Sequence, residues 1–393
     1  MSELSYLENL LDGVEVEWKP VGDIAGYSST KVDADKLDAT SFVGVDNLLA
    51  DKVGRIDATY QPNTARLTAY EPGDVLLGNI RPYLKKVWMA TNTGGCSGDV
   101  LAIRILADCK KFIRSEYLYY ALSSDSFFSY NMQYAKGAKM PRGSKDAILN
   151  YLIPIPCPNN TEKSHAIQSA IVRVLDKFTS LTAELTAELP ARKKQYNYYS
   201  DQLLSREDEK VEWKALGAVI HMRAGQHISG SKINSSHTDE YSYPCFGGNG
   251  VRGFVKDKSH NGEHLLIGRQ GALCGNVQRM KGSFYATEHA VVVTVTDAVN
   301  IDWAFHVLTV MNLNQYASQS AQPGLAVGKI QSQKIPLPPI NAQKKTAEIL
   351  DKFDTLTASI TDGLPREIEL RQQQYEYYRD LLFSFPKSES VTN

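Results

Sequence analysis

The sequence predicts an α+β chain in which two mixed α/β domains are separated by two long antiparallel coiled-coil helices, circularly arranged with pseudo-two-fold symmetry. Three observations predict it. The 393-residue chain duplicates itself with a period far too long for a solenoid. One repeated block places apolar residues every three or four positions, the period of a helix seam. The other is punctuated by Gly, Asn and Pro at intervals of about 8–12 residues, the mark of short strands and loops.

The duplication is read from matched segments. Val16-Glu17-Trp18-Lys19 recurs as Val211-Glu212-Trp213-Lys214, and Ile153-Pro154-Ile155-Pro156 as Ile335-Pro336-Leu337-Pro338. Leu175-Asp176-Lys177-Phe178 recurs as Leu350-Asp351-Lys352-Phe353, and Gln195-Tyr196 with Tyr198-Tyr199 as Gln374-Tyr375 with Tyr377-Tyr378. A third, shorter echo, Tyr6, Glu8, Leu10 and Leu11, repeats the Tyr199–Leu204 and Tyr378–Phe383 segments. The chain thus ends with the element that precedes each variable block. That predicts circular closure, with the C-terminal helix ending beside the N-terminal one.

In order, the elements fall at 1–155 (first variable domain), 156–205 (central helix), 206–335 (second variable domain) and 336–393 (C-terminal helix). The helix seams are Ile171, Val174, Phe178, Leu181, Leu185 and Leu189, then Ile349, Phe353, Leu356, Ile360 and Leu364. Pro190 and Pro365 interrupt the pattern and predict a kink or a restart, because proline removes a backbone donor. Two such helices should pack antiparallel and hold the variable domains at opposite ends. The tandem LTAELTAEL at 181–189 would then act as a ruler, since each four-residue copy adds about 6 Å of helix. In the variable domains, Tyr70–Leu77 and Gly262–Gly268 read as strands bounded by turn residues.

Composition narrows the class. Hydrophobic residues are 42% and charged residues 22%, ordinary for a globular protein. No apolar run approaches the roughly 18 residues of a membrane span. The acidic start MSELSYLENLLDG is unlike a secretory signal, so a cytoplasmic location is expected. Five cysteines without a C-x-x-C pair predict buried thiols, no zinc ribbon and no metal. Net charge is −1, but residues 51–150 carry 14 basic and 9 acidic side chains, and residues 222–340 carry 10 and 7. These are two mildly basic blocks in an otherwise acidic chain, and a basic block can be a phosphate footprint.

Catalytic patterns are missing. The chain has no G-x-G-x-x-G, no phosphate-loop motif, no H-E-x-x-H and no [DN]-P-P-[FYW] run. Glu17-x-Lys19 and Glu212-x-Lys214 mimic half of a metal-nuclease site, but no upstream Pro-Asp completes it. Both are expected to be packing corners, and Glu288-His289 a structural pair. What the variable domains do offer is Arg, Asn and Gln, which read base edges, with Lys for phosphate. The candidates in the first are Asn79, Arg81, Lys85, Lys86, Lys136, Lys139, Arg142 and Lys145. In the second they are Asn249, Arg252, Arg269, Gln270, Asn276, Gln322 and Lys329.

Taken together, the I-P-x-P exits, the Ile349–Thr357 and Gly363–Leu370 segments, Tyr375–Leu382 and Gly268–Asn276 resemble the specificity subunit of type I restriction-modification enzymes. The tandem TAEL looks most like the type IC subfamily. The resemblance covers essentially the whole chain. It implies two target-recognition domains, each reading half of a bipartite, asymmetric duplex DNA site. It further implies helices that set the gap and dock two modification subunits. Those subunits would bind S-adenosylmethionine and methylate adenine, while restriction subunits would use ATP and Mg. The chain itself is expected to have no active site and no cofactor. Two other readings are a recognition subunit of a modification-only methyltransferase and a coiled-coil scaffold carrying two ligand-binding domains.

Overall fold

The computed structural model describes residues 13–205, 211–271, 273–318, 323–359 and 362–385. By its contacts the chain divides into two units. One holds residues up to Glu184 together with those from Ile368 onward, and the other spans Leu185–Glu367. The last helix thus belongs to the unit that the first strand opens, while the N-terminal echo at 6–11 lies outside the described residues.

The first unit opens with β1 (Val16–Pro20) and a single helical turn α1 (Val21–Ile24). Strands β2 (Ala25–Tyr27), β3 (Lys31–Asp33), β4 (Phe42–Val43), β5 (Arg66–Tyr70), β6 (Val75–Gly78), β7 (Val87–Met89), β8 (Gly94–Cys96) and β9 (Val100–Ile105) follow. They form two four-stranded sheets, ordered β2-β9-β6-β7 and β3-β5-β8-β4. Helices α2 (Ser115–Leu122), α3 (Asp125–Gln133) and α4 (Lys145–Asn150) lead to β10 (Leu152–Pro156). β10 pairs antiparallel with β1, setting Trp18 opposite Pro154. Prolines are tolerated there because the ribbon has only two strands and needs few donors. Alternation along β6 divides the core. Val75 and Leu77 join Ile103, Tyr117, Leu118, Ile167, Ile171 and Leu175 on one face. Leu76 joins Val43, Leu48, Tyr70 and Ala102 on the other.

The long helix α5 (Thr161–Leu204) starts in this unit. Its side chain Gln168, fully buried, accepts from the Arg114 backbone N–H at 2.9 Å and donates to the Phe112 carbonyl at 2.8 Å. The helix runs on through Pro190 without a break, so the expected kink or restart is not a stop. Neighbouring turns keep the helix where one donor is lost.

The second unit repeats the plan with one larger sheet. β11 (Glu212–Ala215), α6 (Leu216–Val219), β12 (Ile220–Ala224), β13 (Tyr243–Gly247), β14 (Gly250–Val255), β15 (His260–Gly268), β16 (Val277–Ala286) and β17 (Ala290–Val295) come first. The six-stranded order is β12-β17-β15-β16-β13-β14. Helices α7 (Ile301–Val310) and α8 (Val327–Gln331) precede β18 (Lys334–Leu337), which pairs with β11 as β10 does with β1. Gln343 on α9 (Ile340–Ala358) repeats the pin of Gln168. It accepts from the Asn300 N–H at 2.8 Å and donates to the Ala298 carbonyl at 3.0 Å.

The seam residues sort by burial. Ile171 and Val174 are buried, Phe178, Leu185 and Leu189 half-buried, and Leu181 exposed. Phe178 stacks on Tyr378 of α10 (Leu364–Phe383) at 5.3 Å in the first unit. Tyr199 stacks on Phe353 at 5.6 Å in the second. Leu364 is buried and Leu356 half-buried, while Ile360 lies outside the described residues. Ile349 departs from the expectation: it is 44% exposed and Leu350 is fully buried. The inward face of α9 runs Gln343, Ala347, Leu350, Thr357, itself spaced by three and four, so the seam is one residue out of phase there. Pro365 sits in the first turn of α10, where its missing N–H costs nothing.

Charge is buried where α10 meets the first domain. Arg379 is fully buried, 3.2 Å from Asp125 and 2.9 Å from Asp380. In the second unit the buried His306 sits 2.8 Å from Asp351 and 3.1 Å from the Tyr196 hydroxyl, with Arg279 on the same carboxylate. Tyr120 donates to Asp176 at 2.5 Å in the corresponding place of the first unit. All five cysteines are free and buried. Among the described residues no helix is long and apolar enough to cross a membrane.

Candidate nucleic-acid interface

In the first unit, β6 ends at Gly78 and the chain turns sharply, with Arg81 in the left-handed region at φ 53°. That turn is clamped to the loop before β10 by backbone bonds. The Arg81 N–H donates to the Pro141 carbonyl at 2.7 Å, and the Gly143 N–H donates to the Asn79 carbonyl at 3.1 Å. Ile80 and Arg142 form the bridge between them. Lys136 and Arg142 exchange both backbone bonds, at 2.9 and 2.8 Å, closing a hairpin whose exposed tip carries Lys139.

In the second unit, the same clamp recurs. β15 ends at Gly268, the Gly271 N–H donates to the Pro323 carbonyl at 3.1 Å, and the Leu325 N–H donates to the Arg269 carbonyl at 2.8 Å. Gln270 bridges Gly324 as Ile80 bridges Arg142. The turn carrying Asn249 abuts this clamp: a Cβ on Gly248 would lie 2.5 Å from the Gln270 carbonyl oxygen, so only glycine fits. Asn276 closes the other side, its carbonyl accepting from the Gly268 N–H at 2.9 Å.

The fold therefore gathers Asn79, Arg81, Lys136, Lys139 and Arg142 on one clamp and Asn249, Arg269, Gln270 and Asn276 on the other. Asn79 is buried and faces inward. Four candidates point elsewhere. Lys85 Nζ lies 2.7 Å from Asp125 and Lys86 Nζ donates to the Val45 carbonyl at 2.7 Å. Lys145 starts α4 with its Nζ 5.7 Å over the Tyr27 ring, and Lys329 is exposed on α8. Arg252 lies with its aliphatic stem over Gly247. Gln322 lies outside the described residues.

Three features escaped the sequence reading. Asp99 accepts from Arg142 Nε at 3.2 Å and offers its carbonyl to the Asn79 N–H at 2.8 Å. Asn131, fully buried, and the Asn79 Oδ1 crowd Gly143. Glu288, 3.5 Å from its expected partner His289, also binds His227 at 2.9 Å beside Arg269, whose guanidinium donates to the Glu288 carbonyl at 3.4 Å. No spacing rule pairs residues so distant in sequence. The two E-x-K pairs close on themselves, Lys19 with Glu17 and Lys214 with Glu212, each at 3.1 Å. Among the described residues no group of three or more His, Cys, Asp or Glu side chains is placed to hold a metal ion.

What the two clamps can do chemically is present exposed guanidinium, amide and ammonium groups on fixed backbone, the equipment for base edges and phosphates. Comparison with known proteins gives the family. Residues 208–370 match the family described as "Type I restriction modification DNA specificity domain". The chain is 50% identical to the type I restriction enzyme EcoprrI specificity subunit of Escherichia coli, over 92% of this chain and 93% of that one. It is 38% identical to the EcoR124I/EcoR124II specificity subunit of Escherichia coli, over 100% of both. In fold it is similar to the S subunit of a type I restriction-modification system from M. genitalium, with TM-score 0.59 and 13% identity over 96% and 98% of the two chains. It is also similar to a chain from a study of complex assembly and conformational transition of the type I R-M system, with TM-score 0.61 and 18% identity over 94% and 97%.

Proposed function

We propose, for a chain that belongs to the specificity subunits of type I restriction-modification enzymes, that each of its two units reads one half of a bipartite, asymmetric duplex site through its backbone clamp. The chain is a non-catalytic DNA-recognition subunit and brings no catalytic cofactor of its own. The observation that carries the clamp reading is the recurrence of one set of backbone bonds holding different side chains: Asn79, Ile80, Arg81 and Arg142 in one unit, Arg269, Gln270, Gly271 and Gly324 in the other. One backbone scaffold carrying different side chains in each unit is what two different half-sites demand.

In this reading Lys136 and Lys139 contact phosphates and supply salt-dependent affinity. Arg81, Arg142, Arg269 and Gln270 read base edges, each good bidentate pair being worth about 1–3 kcal/mol of discrimination. The helical segments dock two modification subunits, which bind S-adenosylmethionine and methylate adenine. Restriction subunits using ATP and Mg join that assembly in the cytoplasm. The relatives support restriction-enzyme membership over a modification-only enzyme or a ligand-binding scaffold. Placement in the type IC subfamily rests on the tandem TAEL.

The tandem sets the gap. The division between the units falls between Glu184 and Leu185, inside LTAELTAEL. One more TAEL adds about 6 Å of helix, against about 3.4 Å per base pair. Mapping of methylated adenines in a strain expressing the natural chain, and in one expressing the insertion, tests this. The expected result is one bipartite motif whose unspecified gap grows by one or two base pairs with both half-sites unchanged. Altered half-sites with an unchanged gap would refute the ruler.

A further inference from the structure

An acidic side chain on a surface that meets phosphates weakens binding, so Asp99 needs a reason to be there. Stability is not that reason. Its pair with Arg142 is half open to solvent, with side chains 41% and 54% exposed, and such pairs contribute little. Geometry supplies one. Asp99 Oδ1 accepts from the Arg142 Nε, at one edge of the guanidinium. The terminal nitrogens find no protein acceptor among the described residues. The backbone on both sides is fixed: Arg142 exchanges bonds with Lys136 and bridges Ile80, and the Asp99 carbonyl holds the Asn79 N–H. A flexible arginine thus becomes a planar fork with its outer edge free, the shape that grips O6 and N7 of a guanine.

We propose that Asp99 is a positioning residue for specificity: it orients Arg142 so that the terminal nitrogens read a guanine in the half-site of the first unit. This rests on the reading of the Lys136–Gly143 loop as DNA-facing. The protein–DNA contact is made by Arg142, and Asp99 acts through it.

The test uses the full chain assembled with its modification subunits, and duplexes carrying the mapped site, each specified base pair substituted in turn, plus an unrelated duplex. Arg142→Ala is expected to lose about tenfold discrimination at one position of the first half-site. Asp99→Asn is expected to lose discrimination at that same position while binding the unrelated duplex no more weakly, because a negative charge has gone. Asp99→Glu should restore part of the discrimination. The double variant should lose no more than Arg142→Ala alone. A uniform change across all duplexes in Asp99→Asn, or additive losses in the double variant, overturns the positioning role. Full discrimination in Arg142→Ala overturns instead the underlying reading of the loop.

Discussion

Replacing Asp125 by Asn should loosen the C-terminal helix from the first unit, and the size of the effect follows from the charges around it. Three cations converge on this carboxylate: Lys85 Nζ at 2.7 Å, Lys52 Nζ at 3.1 Å and Arg379 at 3.2 Å. Arg379 is fully buried, and the Lys52 side chain is 9% exposed. Burial alone would raise the Asp125 carboxyl, but the hydrogen bond from Lys85 and the charges of Lys52 and Arg379 hold it well below the usual carboxylate range. Lys52 is lowered, by burial and then by Arg379. Removing one partner of a buried pair costs about 3–5 kcal/mol, because the other charge stays behind uncompensated. Here the loss is smaller. Asp125 is 30% exposed, Arg379 keeps Asp380 at 2.9 Å, and Lys52 keeps Glu376 at 3.9 Å. About 2–3 kcal/mol remains, equivalent to roughly 30- to 150-fold faster amide exchange. Native-state hydrogen exchange over Leu364–Phe383 and Asp125–Gln133 measures it directly, and α7 in the second unit serves as the unchanged reference. Lys85→Met should cost under about 1 kcal/mol, because that side chain is one-third exposed and Asp125 keeps two other cations. A change below threefold in Asp125→Asn would refute the view that this cluster fastens the helix.

Two further outcomes are expected. Gly143→Ala would put a Cβ 2.5 Å from Asn131 Oδ1 and 2.9 Å from Asn79 Oδ1, both on buried side chains. The loop should detach at a cost of about 1–3 kcal/mol, seen as faster tryptic cleavage at Lys136, Lys139 and Arg142 and loss of recognition confined to one half-site. Stability against pH should differ between the units. Burial, joined by the charge of Arg279, holds His306 below its ordinary value despite Asp351 and Asp354. A depressed pKa gives stability that is complete above about 6.5 and is lost as pH falls toward the folded value. Exchange in Ile301–Val310, corrected for its intrinsic rate, should therefore quicken between pH 7.5 and 5.5. Ser115–Leu122, where Tyr120 stands in the matching place, should not change, and His306→Gln should abolish the difference.

The duplication made the architecture legible. Trp18 and Trp213 stand opposite Pro154 and Pro336 because the same two segments recur in both halves and must pair alike. Helical period exposed the seams, but it could not choose between adjacent apolar faces, and so it missed that Leu350 rather than Ile349 turns inward. Loop lysines failed for a different reason. Lys85 and Lys136 look alike in sequence, and only the arrival of Asp125 from α3 turns one inward. Gln168, Gln343 and Arg379 gave no signal, since their partners are backbone carbonyls and carboxylates brought near by tertiary packing alone.

If the clamps read DNA as proposed, their bonding lets such a chain change its target and keep its fold. The four holding bonds run from backbone N–H to backbone carbonyl, so none depends on a side chain at 79, 80, 81 or 142, or at 269, 270, 271 or 324. Pro141 and Pro323 supply the acceptor in both units, and an acceptor is all the clamp asks of them, so their missing donor is harmless. Position 143 shows where this freedom stops. Gly143 is crowded by two buried amides, whereas its counterpart Leu325 is a buried part of the second core. The clamp is thus open to substitution on its outward side and closed on its inward side. A leucine carried from 325 to 143 should fail by collision rather than by altered reading.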